Sequence, residues 1–301
     1  MHFPSTSRTA QTLSVVCALT LATTLSSCSS DPDPATADDS TVNVLASFYP
    51  LQFVSERVGG PDVTVTNLTP PAAEPHDIEL SPSAVRSVGE ADLVVYLSTF
   101  QPATDDAIAA QSPPHVIDAM DAAGLTGDDD SLDPHFWLDP TRLAAVAHEV
   151  ADTLGEMDPE HAADFESRAD ALDVELTALD AEYIETLEPC AGATLVTSHE
   201  AFGYLADRYG LVQVGISGID PDAEPSPARL REVREIVERD DVSTLYFEVL
   251  VSPKVTQTLA DDLGVQTDVL DPLESISDDQ DDYLTVMERN LVALKDGLTC
   301  S

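Results

Sequence analysis

The chain has 301 residues, of which 13 are Lys or Arg and 56 are Asp or Glu, so its formal net charge at pH 7 is −43. A surface this acidic repels nucleic-acid phosphates, and no cluster of basic side chains offsets it, which argues against binding to nucleic acid. The hydrophobic fraction of 43% is sufficient to bury apolar cores. The length therefore predicts one or two globular domains and excludes a wholly disordered chain.

Residues 1–27 are predicted to form a lipoprotein signal peptide. The apolar run at 13–25 is too short to span a bilayer, and it ends in Leu25-Ser26-Ser27-Cys28, which resembles a bacterial lipobox. Cys28 would then carry the lipid that anchors the exported protein to the outer face of the cell membrane. The alternative is an ordinary signal peptide with an incidental cysteine. Residues 28–40 are predicted to be a disordered tether, because they are mostly Ser, Asp, Pro and Ala.

Short β-rich runs alternate with helical patterns through the rest of the chain, in two series. The first series predicts strands at 42–46, 63–68, 92–97 and 115–117, and helices at 51–58, 81–89 and 103–111. The second predicts strands at 193–198, 212–216, 244–249 and 265–270, and helices at 201–209, 226–239, 253–263 and 283–298. Such alternation predicts βαβ units with parallel sheets. The expected fold class is α/β with two Rossmann-like lobes, at 41–157 and 190–301.

A long helical stretch at 158–189 separates the two series. Asp158-Pro159-Glu160 predicts the start of the helix, apolar residues then recur every three or four positions, and Pro189 ends the run. About 28 residues at a rise of 1.5 Å make a rod on the order of 40 Å long. We interpret this stretch as a rigid helix that joins the two lobes. The alternative is a surface helix of one larger domain.

Two cysteines, Cys190 and Cys300, remain after Cys17 is removed with the signal peptide and Cys28 is assigned to lipid. An even pair of cysteines in an oxidising compartment predicts a disulfide bond. Two free thiols are the alternative. A thiolate metal site is disfavoured because the sequence has no C-x-x-C spacing.

Three of the seven histidines lie where a strand or loop gives way to a helix, which is where α/β folds present ligand-binding side chains. His76 follows the second predicted strand, His135 precedes a predicted helix start, and His199 ends the first strand of the second series. Imidazole is the commonest metal ligand, and a first-row metal ion needs three or four converging donors. Asp271, at the end of the last strand, is the predicted fourth donor; a turn or helix-capping role is its alternative.

Six segments together resemble the solute-binding lipoproteins of zinc and manganese ABC importers, also called cluster 9. They are EPHDIELSPS, DPHFWLDP, SHEAFGYLADRYG, GIDPDAEPSPARL, FEVLVSPKV and VLDPLE, in that order from about residue 42 onwards. The resemblance implies two α/β lobes joined by one long helix, with the metal between them. It implies His76 and His135 as ligands from the first lobe, His199 and Asp271 from the second, and Glu248 as a supporting or gating group. It also implies a monomer that delivers the metal to an ABC permease and its cytoplasmic ATPase.

Three imidazoles and one carboxylate favour Zn²⁺ over the harder Mn²⁺ as the bound metal, with Mn²⁺ as the alternative. Manganese-selective members of the family generally have a carboxylate at the place of His199.

Many zinc-binding members have a His-rich loop before the second histidine, whereas this chain has an acidic segment at 127–133, which we interpret as a solvated loop. Because imidazole must be neutral to bind metal, affinity is expected to fall below a pH of roughly 6.5.

A secreted zinc hydrolase is the main rival interpretation. A catalytic zinc keeps an open position for water and needs a general base, for which Glu200 or Glu248 would be candidates. The sequence contains neither an H-E-x-x-H nor a G-x-S-x-G pattern, so we predict that the protein is not an enzyme. A surface adhesin is a third interpretation, which the sequence neither supports nor opposes.

Overall fold

The computed structural model describes residues 41–125, 132–250, 252–276 and 280–300. The predicted signal peptide, the predicted lipidation site Cys28, the tether at 28–40 and most of the acidic segment at 127–133 lie outside the described residues. Within the described ranges, no helix combines the length and the apolar composition needed to cross a membrane.

Two four-stranded parallel sheets form the framework of the fold. Their strands are β1 (Val42–Ala46), β2 (Val63–Asn67), β3 (Leu93–Tyr96), β4 (Val116–Asp118), β5 (Thr194–Thr197), β6 (Val212–Gly215), β7 (Thr244–Phe247) and β8 (Gln266–Val269). The order is β2-β1-β3-β4 in the first sheet and β6-β5-β7-β8 in the second. All described pairings are parallel. The two sheets therefore have the same topology, and the predicted α/β fold class is confirmed.

Helices supply the crossover connections that parallel strands require. They are α1 (Tyr49–Gly59), α2 (Pro82–Glu90), α3 (Pro102–Gln111), α4 (Ala119–Ala122), α5 (Pro140–Met157), α6 (Ala162–Leu187), α7 (Gly203–Tyr209), α8 (Pro227–Arg239), α9 (Lys254–Leu263) and α10 (Tyr283–Gly297). Local sequence explains several of the starts, because Ser81, Asp139, Ser226 and Asp282 each accept a hydrogen bond from an amide of the following first turn.

The long helix begins later than the sequence predicts. Asp158 was expected to cap it, but the Asp158 carboxylate accepts a hydrogen bond from the backbone N–H of Glu160 and lies 2.6 Å from His161 Nδ1. These contacts stabilise a turn that separates α5 from α6, so α6 starts at Ala162. Its 26 residues still make a rod of about 39 Å.

Helix α6 joins the two lobes and packs against both. It contacts α1 and α5 on the side of the first sheet and α7 and α10 on the side of the second. One hydrophobic cluster contains the inner faces of both sheets together with α6, and smaller clusters cover the two outer faces. Alternation along the strands explains this division, since Val44 and Ala46 join the shared core while Leu45 points to an outer cluster. Residues Ser40–Ser301 accordingly form one compact unit.

The predicted disulfide bond between Cys190 and Cys300 is confirmed. Cys190 follows α6 and Cys300 follows α10, at a sequence separation of 110. Closing a loop of this length stabilises a fold by about 4 to 5 kcal/mol in the chain-entropy account. The bond thus fastens the end of the joining helix to the end of the chain.

Candidate metal centre

The candidate metal centre lies at the carboxyl edges of the two sheets. His76 is in the connection between β2 and α2, and His135 comes directly before a 3-10 turn that leads into α5. His199 follows β5, and Glu274 lies in the segment after β8. Two donors therefore come from each lobe. Because parallel strands end at one edge of a sheet, these four connections are the ones that the topology can bring together.

The four side chains converge on one point. One potential ligand atom from each of His76, His135, His199 and Glu274 lies within 4.8 Å of the other three. Glu274 Oε1 is 3.0 Å from His135 Nε2, 3.3 Å from His199 Nε2 and 3.4 Å from His76 Nε2. The two Nε2 atoms of His135 and His199 are 3.4 Å apart. The three predicted histidines are thus brought together, and a glutamate completes the group.

Four of the six donor separations fit the edges of a small coordination tetrahedron. With metal–nitrogen and metal–oxygen bonds of about 2.0 to 2.1 Å, the donors of a tetrahedral zinc site are roughly 3.3 Å apart. The measured separations between Glu274 Oε1 and the three imidazoles match this value to within a few tenths of an ångström. The side chains of His135, His199 and Glu274 are almost completely buried, and that of His76 is 11% exposed. His76 is therefore the most solvent-exposed of these four described side chains.

Two of the imidazoles are oriented by carboxylates behind them. His135 Nδ1 lies 2.8 Å from Asp133 Oδ1, and His199 Nδ1 lies 2.7 Å from Glu248 Oε1. A carboxylate at Nδ1 fixes the proton on that nitrogen and leaves Nε2 to face a metal. Glu248 Oε1 also accepts a hydrogen bond from Ser198 Oγ at 2.5 Å. Both Nε2 atoms consequently point towards Glu274.

The electrostatics of the cluster favour the protonated forms of His135 and His199. Burial lowers the pKa of His199, but its hydrogen bonds with Glu248 and Glu274 outweigh burial and raise the pKa to about 10. The pKa of His135 is raised in the same way, because hydrogen bonds with Asp133 and Glu274 exceed the effect of burial. Burial raises the pKa of Glu274, yet the adjacent imidazoles of His135, His199 and His76 bring it well below its usual value. The protonated forms of His135 and His199 are thus favoured beside an ionised Glu274.

Unpaired buried atoms concentrate at this site. In the described part of the chain, the buried side-chain atoms without a hydrogen-bond partner are Glu74 Oε2, His76 Nε2, Glu248 Oε2, Glu274 Oε2 and Ser47 Oγ. Four of these five belong to the cluster or to residues in contact with it. A buried polar atom without a partner costs free energy unless another species satisfies it. A cation placed among the imidazoles would satisfy His76 Nε2 and Glu274 and would reduce the cost of the two neighbouring carboxylates.

The carboxylate in the cluster is not the one expected. Asp271, the predicted fourth donor, is absent from the group that converges, and Glu274 stands in its place. Asp271 Oδ1 instead accepts a hydrogen bond from the backbone N–H of Leu273 at 2.8 Å. The physical reason is a reversal of the chain at Leu273, where φ is +58°. This turn directs the side chain of Glu274 towards the three histidines.

Sequence reasoning also missed residues that support the ligands. Asp133 accepts hydrogen bonds from the backbone N–H of His135 and contacts its ring. Gly203 lies so close that a Cβ atom there would overlap Asp133 Oδ2, so a side chain at this position would displace the Asp133 carboxylate. Glu74 accepts a hydrogen bond from the backbone N–H of His76, and burial followed by the charge of Glu274 raises its pKa to about 8. The signal available in the sequence was an acidic residue two positions before each of these two histidines.

The chain is similar to known zinc-binding proteins. The zinc-binding lipoprotein AdcA of Streptococcus pneumoniae serotype 4 is 36% identical over 279 residues, which are 85% of this chain and 56% of AdcA. The chain therefore spans little more than half the length of that relative. The high-affinity zinc uptake system protein ZnuA of Bacillus subtilis is 31% identical over 292 residues, which are 90% of this chain and 92% of ZnuA.

A solved structure shows the same fold. The Zn(II)-bound ZnuA-like domain of Streptococcus pneumoniae AdcA superimposes with a TM-score of 0.73 at 36% identity, covering 85% of this chain and 98% of that domain. Residues 44–297 match the family described as "ZnuA: Zinc-uptake complex component A periplasmic". The resemblance predicted from the sequence motifs is confirmed, and the chain belongs to the family of periplasmic zinc-uptake components.

Proposed function

We propose that the protein captures a Zn²⁺ ion outside the cell and delivers it to a membrane ABC permease that is powered by a cytoplasmic ATPase. The observation that carries this proposal is the convergence of three imidazole nitrogens and one carboxylate oxygen within 4.8 Å of one another. The family description and the names of the relatives support zinc as the cargo and an importer as the destination.

The ligands are His76, His135, His199 and Glu274. Three nitrogen donors and one oxygen donor suit Zn²⁺, whereas Mn²⁺ prefers oxygen donors in a larger coordination shell. Because each lobe contributes two ligands, the bound ion bridges the lobes and stabilises the folded protein through its own binding free energy. The interpretation of 41–157 and 190–301 as lobes joined by the helical stretch at 158–189 belongs to this proposal.

Four protein donors also distinguish transport from hydrolysis. A tetrahedral site filled by protein atoms leaves no position for the water molecule that a catalytic zinc activates. We therefore assign a transport role and no catalytic role. The protein would be exported and held at the membrane by lipid on Cys28, as expected from the lipobox, which agrees with the lipoprotein name of the pneumococcal relative. The adhesin interpretation stays untested.

The proposal is tested by zinc affinity measured in competition with a chelator. His135→Ala and Glu274→Gln should each weaken Zn²⁺ binding by more than the roughly 100-fold that loss of an outer hydrogen-bond partner can cost. His148→Ala is the matched control, because His148 lies on α5 with 41% of its side chain exposed, and it should bind like the wild type. Unchanged affinity in both site variants would refute the ligand assignment, and tighter binding of Mn²⁺ than of Zn²⁺ would refute the choice of metal.

A further inference from the structure

The segment that carries Glu274 adopts a backbone conformation that a leucine does not favour. Leu273 has φ of +58°, in the left-handed region where a Cβ atom clashes with the backbone. Its side chain is buried in the shared hydrophobic core. Glycine, which tolerates this backbone conformation, would lose those core contacts. A conformation of this kind persists only where the surroundings impose it. Because Leu273 immediately precedes the proposed ligand Glu274, this constraint affects the position of the ligand.

Asp271 is one of the groups that impose the turn. Its Oδ1 accepts a hydrogen bond from the backbone N–H of Leu273 at 2.8 Å, which closes a tight turn two residues long. Asn290 on α10 holds the backbone of Asp271 with two hydrogen bonds. Asn290 Oδ1 accepts from the Asp271 backbone N–H at 2.9 Å, and Asn290 Nδ2 donates to the Asp271 carbonyl at 2.7 Å. Since Asn290 is buried, this anchor is part of the second lobe's core.

The first lobe holds the same turn from the other side. Trp137 Nε1 donates a hydrogen bond to the Pro272 carbonyl at 2.7 Å, and the Trp137 carbonyl accepts one from Tyr283 Oη at 2.6 Å. Trp137 is fully buried and lies two residues after His135. The turn is therefore tied to both lobes within two residues of Leu273.

We infer that Asp271 is a positioning residue whose carboxylate maintains the left-handed turn at Leu273 and so directs Glu274 to the three histidines. The inference rests on the proposed zinc-binding function, because it assigns a role in shaping that site. It requires the hydrogen-bond acceptor of Asp271 and not its charge. A direct ligand would require the charge and would lie among the converging atoms, from which Asp271 is absent.

The experiment compares Asp271→Ala with Asp271→Asn in the full mature protein by chelator competition for Zn²⁺. Alanine removes the acceptor, so the turn at Leu273 loses its closing bond, and zinc affinity should fall about 10- to 100-fold. Asparagine keeps an acceptor oxygen at the same position and suits the same turn, so its zinc affinity should stay within about threefold of the wild type. Glu274→Gln serves as the reference for loss of a ligand.

A geometric readout separates positioning from simple loss of stability. Co²⁺ bound in a tetrahedral site has an intense visible absorption, so the spectrum of Asp271→Asn should match the wild type while that of Asp271→Ala weakens. Wild-type affinity in Asp271→Ala, or a loss in Asp271→Asn as large as in Glu274→Gln, would overturn the inference. If Asp271→Ala does not fold, the result for Asp271→Asn still decides. Wild-type zinc binding by Glu274→Gln and by His135→Ala would instead refute the proposed function.

Discussion

Zinc binding should release protons at neutral pH, and His199 is the principal source. The pKa of His199 in the metal-free protein is raised to about 10 against the lowering effect of burial, by hydrogen bonds to Glu248 and Glu274. At pH 7 the ring therefore carries a proton on both nitrogens. Because Nε2 must lose its proton before it can bind a metal, each bound Zn²⁺ should displace at least one proton.

The direction of the pH dependence follows from this competition. A group with a raised pKa holds its proton at every pH below about 10, so zinc affinity should rise with pH throughout the neutral range. One displaced proton corresponds to a factor of ten per pH unit, or about 1.4 kcal/mol. Apparent affinity should therefore increase at least about 100-fold between pH 6 and pH 8. From the sequence alone, affinity is expected to fall below roughly pH 6.5. The contacts of His199 raise its pKa and so extend the loss of affinity to higher pH.

Calorimetry provides the assay. Titrations of Zn²⁺ at pH 7 in two buffers with different ionisation enthalpies should give different observed heats, and their difference divided by the difference in ionisation enthalpy counts the protons. Chelator competition at pH 6, 7 and 8 measures the slope independently. Glu248→Gln provides a comparison, because the amide oxygen of glutamine can still accept a hydrogen bond from His199 Nδ1 but carries no negative charge. Without that charge His199 holds its second proton less tightly, so zinc binding should release fewer protons. Equal heats in the two buffers together with constant affinity from pH 6 to 8 would refute the reasoning.

Three other perturbations have defined outcomes. Trp137→Phe keeps an aromatic side chain, although a smaller one, and leaves the Pro272 carbonyl without its Trp137 partner. It should lower the free energy of unfolding by about 1 to 3 kcal/mol and weaken zinc binding. Chemical denaturation that matches the wild type would contradict this. Replacing Cys190 and Cys300 by serine should cost about 4 to 5 kcal/mol of stability by the same measurement. Zinc affinity should stay unchanged in that variant, because the disulfide lies among residues that begin the strands of the second sheet, opposite the edge that carries the metal centre. Gly203→Ala should displace Asp133 and weaken zinc binding about 10-fold by chelator competition, and an affinity equal to that of the wild type would show that Asp133 does not orient His135.

Much of the fold follows from local sequence. Alternating strand and helix patterns predict two parallel sheets, because each pattern reports which faces of an element are buried, and that information is contained in a few consecutive residues. The three histidines were found for a related reason. A parallel sheet puts the carboxyl ends of its strands at one edge. Residues that follow the strands ending at Asn67 and Thr197 can therefore be grouped before any contact is known.

The remaining features depend on contacts between distant segments. Choosing Glu274 over Asp271 required the backbone reversal at Leu273, which Asn290 on α10 and Trp137 in the first lobe both stabilise. No pattern near residue 271 reports hydrogen bonds to residues 19 positions later or more than 130 earlier. Local sequence therefore indicated which chain segments meet at the candidate metal centre. Contacts with distant segments decided which carboxylate faces the three histidines, because those contacts hold the turn that sets the direction of the side chain.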